Sequence, residues 1–444
     1  MDKCAIKSWM KGFLMALLIS PAIVVAKPAL TLKQTTQIAI HNNRDLIAAR
    51  FTVSLARARL IQAGLWPNPT LNLTDIDDKA FTNEGEYSRS AGFSQAFPIS
   101  GRIAKQKTVA RIDVVKAMAE IREAERKLSA NVANAFYALV ITERRLHQLN
   151  YLLGLNKELA RVTHNRYHVA EVSELDMNTA RLEYQRINQE KQLLDSVRVN
   201  QVAQINQLLG RQPTVQVILD PTLPKQTALI ALKSLQAIAL KNRPDKQAII
   251  LGIQRANADV RLAKAERFAD WTLGLAVQQD ELVVQGAPPQ RPDRTLGVNI
   301  AVPLPLLNGN QGRIMEASAT GTQALMALRA INLTIETEVA NNYAQLQILH
   351  NALQQTQNTS LKLTLKNINL AREAYRNGQL SLLNLVQVQR QQNDLQMSYL
   401  ANLEKYLQAY VALCTAVAPM ESLGFCDYLS YKRNLNAQHC TVAN

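Results

Sequence analysis

The sequence predicts a mainly α-helical protein with a small β part, built from long helical hairpins and four amphipathic strands. Three observations predict it. The chain repeats itself at an offset of about 200 residues, it contains long stretches almost free of Gly and Pro, and short stretches of alternating polar and apolar residues interrupt it twice.

The internal repeat is visible in matched positions along the whole chain. Positions of the first copy that recur 200 residues later are Ile38, Ala39, Asn42, Asp45, Ala48, Ala56, Ala58 and Ala63. Further on, Val132-Ala133-Asn134 recurs as Val339-Ala340-Asn341. We therefore expect two structural repeats, over residues 27–225 and 226–418, followed by a C-terminal tail at 419–444.

Each repeat contains a region in which helix-breaking residues are nearly absent. Residues 102–209 hold no Pro and only Gly154, and residues 313–418 hold no Pro and only Gly321 and Gly378. These regions predict long helices over 101–209 and 313–417, each folded into a hairpin. The first arm, 101–167, would be roughly 100 Å long at the rise of an α-helix, with shorter helices at 37–65 and 175–209 lying end to end beside it. The second copy repeats this with 313–377 beside 244–267 and 382–417.

Apolar residues seven positions apart occur within these helices. Val132, Leu139, Leu146 and Leu153 have this spacing, and Val339, Leu346 and Leu353 repeat it in the second copy. The spacing favours coiled-coil-like packing between helices. An ordinary soluble coiled coil would show the same pattern.

Four segments alternate apolar and polar residues with a period of two, as strands with one apolar face do. They lie at about 70–76, 87–97, 271–283 and 294–303. Four strands cannot close a barrel, so a lipid-facing barrel would have to be shared between subunits. The alternation predicts Phe93, Trp271, Leu273 and Ile300 toward lipid and Asn72, Ser94 and Asn299 toward the lumen. The alternative is two hairpins lying on a soluble helical core.

The N-terminus has the features of a secretory signal peptide over residues 1–26. Lys3, Lys7 and Lys11 precede an apolar run that ends in small residues at Val24-Val25-Ala26. The formal net charge is +15, but Lys and Arg are interspersed with Glu and Gln, and no basic block with interleaved aromatic residues is present. We therefore expect no nucleic-acid partner.

The cysteines and histidines offer weak candidate sites. A Cys426–Cys440 disulfide in the tail is one expectation, and free thiols at Cys414, Cys426 and Cys440 are the alternative. His164 and His168, four apart, could hold a metal on one helix face, but two ligands alone make a weak site, so solvated surface residues are the expectation. The sequence contains no recognisable catalytic or phosphate-binding motif, and we expect no catalytic residues, cofactor or metal.

Several motifs together resemble the TolC-type outer-membrane factors over essentially the whole mature chain. They are Ala63-Gly64-Leu65-Trp66-Pro67-Asn68-Pro69, Phe97-Pro98-Ile99-Ser100-Gly101-Arg102, the segment from Val302 to Arg313, and Tyr375-x-x-Gly378-x-x-Ser381. The resemblance implies a homotrimer in the Gram-negative outer membrane, with a 12-stranded transmembrane β-barrel to which each subunit gives four strands, and a periplasmic α-barrel. It also implies two partners, a periplasmic adaptor (membrane fusion) protein and an inner-membrane RND-type transporter.

One segment is most similar to the heavy-metal branch of that family, namely Pro303-Leu304-Pro305-Leu306-Leu307-Asn308-Gly309-Asn310-Gln311-Gly312. This resemblance implies passive export of metal cations by a tripartite efflux pump. The alternatives are a conduit for drug efflux or for type I protein secretion, and, less favoured, a soluble periplasmic coiled-coil adaptor or a secreted hydrolase.

The resemblance also implies a gate where the long helices turn, and it places candidate residues there: Glu171, Glu174, Asp176, Arg376, Asn384 and Gln387. Asp176 matches an acidic position of the family at the pore entrance. In a trimer it would form a ring of three carboxylates, which favours cations. The alternative is that these acids form surface pairs with Arg166 or Arg181. Ala170 stands where the family has glycine, so the first turn could differ in shape from the second.

Overall fold

The computed structural model describes residues 29–78, 85–224, 230–284, 286–288 and 290–417. The predicted signal peptide at 1–26 and the tail at 419–444, with Cys426 and Cys440, lie outside these residues and stay predictions. Cys414, near the end of the last helix, takes part in a disulfide, so the alternative of a free thiol at this residue is wrong.

In the first half of the chain, the described residues form four helices and two strands. Helices α1 (Leu32–Asn42) and α2 (Arg44–Gln62) precede strands β1 (Thr70–Asp77) and β2 (Tyr87–Phe97); α3 (Arg102–His168) and α4 (Glu174–Leu208) follow. Helix α1 starts with a capping box in which Thr31 and Gln34 satisfy each other's backbone amides. Asn43 separates α1 from α2, because its extended backbone ends the first helix and its side chain caps the second. The expected single helix at 37–65 is therefore two helices.

The second half contains the same elements in the same order. Helices α5 (Leu232–Asn242) and α6 (Pro244–Ala265) precede strands β3 (Trp271–Glu281) and β4 (Asp293–Ala301). The helix expected over 313–377 is interrupted: α7 (Gln311–Gln355) ends in one π-helical turn, Thr356–Ser360, before α8 (Leu361–Arg376). Helix α9 (Leu382–Val417) ends the described chain.

The four strands form one antiparallel sheet in the order β1-β2-β3-β4. One row of paired residues across the sheet is Leu71, Phe93, Leu275 and Val298. The adjacent row, whose side chains lie on the other face, is Asn72, Gly92, Ala276 and Gly297. The register thus puts the apolar residues on one face and the small and polar residues on the other, as the alternation predicted. Most of the apolar face is exposed: Leu71, Leu73, Phe93, Leu275, Leu296 and Val298 are all more than half accessible to solvent.

The hydrophobic core follows the long helices. Val132, Leu139 and Leu146 are at most 4% exposed, and Val339, Leu346 and Leu353 at most 1%. Leu353, Leu346, Val339 and Leu139 belong to one large cluster with residues of α5 and α9. Leu153, the fourth residue of the first series, is only partly buried. The sevenfold spacing therefore marks most of the buried seam between helices, and the predicted mainly α fold with four strands is confirmed.

The connection after α4 packs closely against the start of the chain. Leu30 forms a parallel bridge with Leu219, and the Asn43 side chain donates to the Leu208 carbonyl at 3.0 Å. Gly210 has a positive φ of 69°, and a Cβ placed on it would lie 2.2 Å from the Asn42 carbonyl oxygen. Only glycine fits there.

Among the residues that the structure describes, no helix combines the length and apolar character needed to cross a membrane.

Candidate functional site

The two helical hairpins end in turns with the same backbone design. In the α3–α4 turn, the Glu171 amide donates to the Arg166 carbonyl at 2.8 Å; in the α8–α9 turn, the Gln379 amide donates to the Ala374 carbonyl at 2.8 Å. Each is the six-residue hydrogen bond that closes a helix through a left-handed residue. That residue is Ala170, with φ 59°, in the first turn and Gly378, with φ 72°, in the second.

The expectation that alanine would change the shape of the first turn is therefore wrong. Ala170 adopts the left-handed conformation that its glycine counterpart adopts without cost. The surrounding hydrogen bonds and the cap of the next helix impose this conformation on a residue with a Cβ. The sequence correctly placed the turn and missed that the strain is retained.

Serine residues start the returning helices in both hairpins. The Ser173 hydroxyl accepts from the Asp176 amide at 3.1 Å and donates to a carboxylate oxygen of Asp176 at 2.8 Å. In the second hairpin the Ser381 hydroxyl accepts from the Asn384 amide at 3.3 Å. Asp176 and Asn384 therefore hold equivalent positions in the two turns. In the part of the chain described here, Asp176 forms no ion pair.

The other candidate gate residues are Glu171, Glu174, Arg376, Asn384 and Gln387. Glu171 accepts a hydrogen bond from the Arg166 side chain at 2.9 Å, so for this acid the predicted surface pair with Arg166 is present. Glu174, Arg376, Asn384 and Gln387 are exposed. Within the described ranges, no hydrogen bond or ion pair joins these candidates across the two hairpins.

The two hairpins meet instead through a small apolar contact near their tips. Ala180 of α4 is buried against Leu382 and Val386 of α9, and Tyr375 packs against this group. Tyr375 also packs against the neighbouring group of Ile368 and Leu385. Tyr375 therefore connects the contact between the hairpins with the packing inside the second hairpin.

A cluster of two arginines around the buried carboxylate of Glu183 joins the hairpins one to two helical turns farther from the tips, and sequence reasoning missed it. Glu183 of α4 is 2% exposed; Arg186 of the same helix approaches it to 2.8 Å and Arg390 of α9 to 2.6 Å. Burial alone would raise the pKa of Glu183, but hydrogen bonds from the two arginines outweigh it and hold the pKa below its ordinary value. The spacing of Glu183 and Arg186 was readable as a helical pair; their meeting with Arg390, 207 residues later, was not.

The opposite end of the molecule carries the sheet and its connections to the helices. Arg102, at the start of α3, forms a two-pronged ion pair with Asp270, just before β3, at 2.5 and 2.8 Å. Trp66 and Phe97 make an edge-to-face contact with ring centres 6.1 Å apart, and Trp271 lies opposite Phe97 in the sheet. Ion pairs and aromatic residues thus mark the boundary between the strands and the helices.

The described residues contain no group of three or more His, Cys, Asp or Glu side chains placed to hold a metal. His164 and His168 lie on the last turns of α3, with their Nε2 atoms 3.2 Å apart.

Comparison with known proteins matches both halves of the chain. The model of the family "Outer membrane efflux protein" matches residues 35–211 and 235–418. The cobalt-zinc-cadmium resistance protein CzcC of Cupriavidus metallidurans is 24% identical over 389 residues, covering 86% of this chain and 88% of the relative. Among solved structures, CusC has a TM-score of 0.70 at 19% identity, covering 87% of this chain and 92% of that one. The Campylobacter jejuni CmeC outer membrane channel has a TM-score of 0.68 at 16% identity, covering 92% and 89%. With both halves matched, the chain belongs to the outer membrane efflux protein family.

Proposed function

We propose that this protein is one subunit of a trimeric duct that passively conducts heavy-metal cations across the outer membrane. The family consists of outer-membrane channels, not of enzymes. In this proposal the cations are delivered by an inner-membrane RND-type transporter through a periplasmic adaptor. The observation that carries the proposal is the isolated four-stranded sheet, which has one exposed apolar face and two unpaired edges.

The sheet supports a shared barrel for two reasons. Its outer strands, β1 and β4, have no partner on their outer sides among the residues that the structure describes. Long unpaired edges are a liability in water and are not tolerated in lipid, where every backbone group needs a hydrogen bond. Pairing β1 of one subunit with β4 of the next would satisfy both edges. Three copies would give the 12-stranded barrel.

The faces of the sheet match the two environments of such a barrel. Leu71, Phe93, Leu275 and Val298 form a row that suits lipid. On the opposite face, the Asn72 and Ser94 side chains lie within 3.5 Å of each other, which suits a wet lumen. Trp66 and Trp271, where the sheet meets the helices, have the amphipathic indole rings that anchor proteins at a membrane–water interface, and Phe97 packs against Trp66.

The helices supply the length of the duct. Helix α3 alone has 67 residues, which corresponds to roughly 100 Å. This is about the depth of a periplasm. The tips that carry Asp176 and Asn384 lie at the far end of α3 from the sheet, where a gate facing an adaptor and transporter is needed.

Metal ions are the cargo that the comparisons favour. The matched relative is a cobalt-zinc-cadmium resistance protein, and it aligns over most of both chains. A ring of three Asp176 carboxylates at the entrance would favour cations over anions. Drug efflux is the second candidate, because the fold, which the CmeC channel shares, does not by itself determine the cargo. Type I protein secretion stays a third.

The cargo is tested by deleting the gene and challenging the strain separately with cobalt, zinc, cadmium or copper salts, with drugs, and with an assay for protein secretion. We expect sensitivity to one or more of the metals, restored by the wild-type gene. Sensitivity to drugs alone, or loss of a secreted protein, would contradict metal export. Extraction that requires detergent and a heat-modifiable trimer are expected in each of these cases. A monomer released without detergent would instead indicate a soluble adaptor.

A further inference from the structure

Two exposed histidines form an isolated pair at the C-terminal end of α3. His164 and His168 are one helical turn apart, and their rings stand edge to face with centres 4.5 Å apart. Their Nε2 atoms are 3.2 Å apart, and within the described residues neither ring has another hydrogen-bond partner. From their spacing alone we expected solvated surface residues. The distance between their ring nitrogens is a more specific observation than that spacing.

The separation of the two nitrogens is that of two ligands on one metal ion. Zinc–imidazole bonds of 2.0–2.1 Å place two nitrogens about 2.9 Å apart at a right angle and about 3.4 Å apart at the tetrahedral angle. The observed 3.2 Å lies between these values. A hydrogen bond between two neutral rings would have a similar distance, and binding measurements separate the two possibilities.

The charges around the pair also permit a cation. The two nearest arginines on α3 are engaged with carboxylates, Arg161 with Glu158 and Arg166 with Glu171. His168 is the last residue of the helix, where the partial negative charge of the unsatisfied carbonyl groups favours a positive ion. The positive charges of these two arginines are therefore balanced by carboxylates.

We propose that His164 and His168 form a two-histidine chelate for a divalent late transition-metal ion, of the class zinc, cobalt, nickel and copper. Imidazole nitrogen suits these ions, and water fills the remaining coordination positions. Two protein ligands on a solvent-exposed helix give weak, quickly exchanging binding, which is compatible with a duct through which ions must pass. The proposed chelate does not depend on which cargo the duct exports, because His164 and His168 are part of the chain whether that cargo is a metal ion or a drug.

The test uses nickel ions and the full chain in detergent, purified without a polyhistidine tag. Isothermal titration calorimetry should show one saturable nickel ion per chain. His168→Gln and His164→Gln should each weaken binding by about tenfold or more, since each leaves a single imidazole. The matched control is His147→Gln, which removes an exposed histidine from the same helix and should leave nickel binding unchanged.

A second readout locates the ion. Nickel should protect His164 and His168, but not His147, from diethyl pyrocarbonate as measured by mass spectrometry. Absence of saturable binding, or equal binding by wild type and the His164→Gln/His168→Gln double variant, would overturn the proposal. Metal sensitivity of a deletion strain is measured separately, so failure of the chelate and failure of metal export are distinguishable.

Discussion

At the level of single residues, the left-handed backbone conformation of Ala170 costs more free energy than that of Gly378, the equivalent residue of the second hairpin. A non-glycine residue in the left-handed region costs about 1–2 kcal/mol, part of which glycine returns through its freer unfolded chain. We therefore expect Ala170→Gly to stabilise each subunit by about 0.5–1 kcal/mol. The measurement is the midpoint temperature at which the purified assembly unfolds. Gly378→Ala is the matched reverse change and should lower that temperature; equal midpoints for all three proteins would contradict the strain at this position.

Asp176, like Glu174, is a candidate gate residue whose carboxylate forms no ion pair within the described residues, and it is the one that matches an acidic position of the family. Its contact with Ser173 leaves the carboxylate able to face a passing ion. We expect Asp176→Asn to lower cation selectivity of the reconstituted channel and to weaken block by multivalent cations, with assembly unchanged. Reversal potentials in salt gradients measure this. Glu171→Gln is the control, since Glu171 is paired with Arg166. Selectivity identical to wild type would remove Asp176 from the gate.

Glu183 predicts a pH dependence of the contact between hairpins. A carboxylate whose pKa is lowered in the folded protein contributes its full stability when the pH is above the ordinary pKa of about 4.3. This stability is lost as the pH falls through the lowered pKa. The Glu183 link should therefore be constant between about pH 5 and 8 and weaken only below about pH 4.

Arg390→Gln tests this link directly. It removes the arginine that reaches Glu183 from the other hairpin and should destabilise the tip by about 1–3 kcal/mol, because the buried carboxylate keeps only Arg186. Faster hydrogen exchange in residues 174–190 and 382–394 would report it. Arg161→Gln, which breaks an exposed pair within one helix, should change little. Unchanged exchange in Arg390→Gln would show that the cluster does not hold the hairpins together.

At the level of elements, the strands carry a testable assignment of faces. The register puts Phe93, Leu273 and Ile300 on one face and Asn72, Ser94 and Asn299 on the other. Cysteines at the first three positions, and at Trp271, should react with lipid-soluble reagents, and cysteines at the last three with water-soluble ones. Reversed labelling would place the polar face toward lipid and contradict the proposed barrel.

The π-helical turn at Thr356–Ser360 is the element for which the sequence carried no signal. It contains neither Gly nor Pro, which are the usual markers of an interrupted helix. The corresponding part of α3 is regular. The two long arms therefore differ, although the repeat predicted that they would be alike. A π-helical turn contains one more residue than an α-helical turn, and packing, not local composition, decides where that residue is accommodated.

At the level of the whole molecule, the unpaired edges predict how subunits join. Single cysteines along β1 combined with single cysteines along β4 should form disulfides between subunits at one register and yield covalent trimers on denaturing gels. Cysteine pairs placed in β2 and β4 of the same chains are the control, because β3 separates these strands. Absence of any cross-link between subunits for the full β1–β4 series would contradict a shared barrel.

Most of the fold could be read from the amino-acid pattern, because its signals are local. The absence of Gly and Pro located the long helices, the sevenfold spacing of Val132, Leu139 and Leu146 located their buried seam, and the alternation around Phe93 located the strands and their faces. Each of these depends on periodicity within one segment, and residues a few positions apart are sufficient to show it. The two turns were also placed correctly, because Ser173 and Ser381 are local caps.

The contacts that organise the candidate site could not be read in this way. Glu183 and Arg390 meet only because α4 and α9 pack side by side, and Ala170 is held left-handed only because the turn around it is closed by hydrogen bonds. The His164–His168 distance likewise depends on side-chain conformation, which spacing does not determine. Periodic patterns thus define elements and faces, whereas ion pairs between distant helices, backbone strain and ligand distances arise from packing in three dimensions.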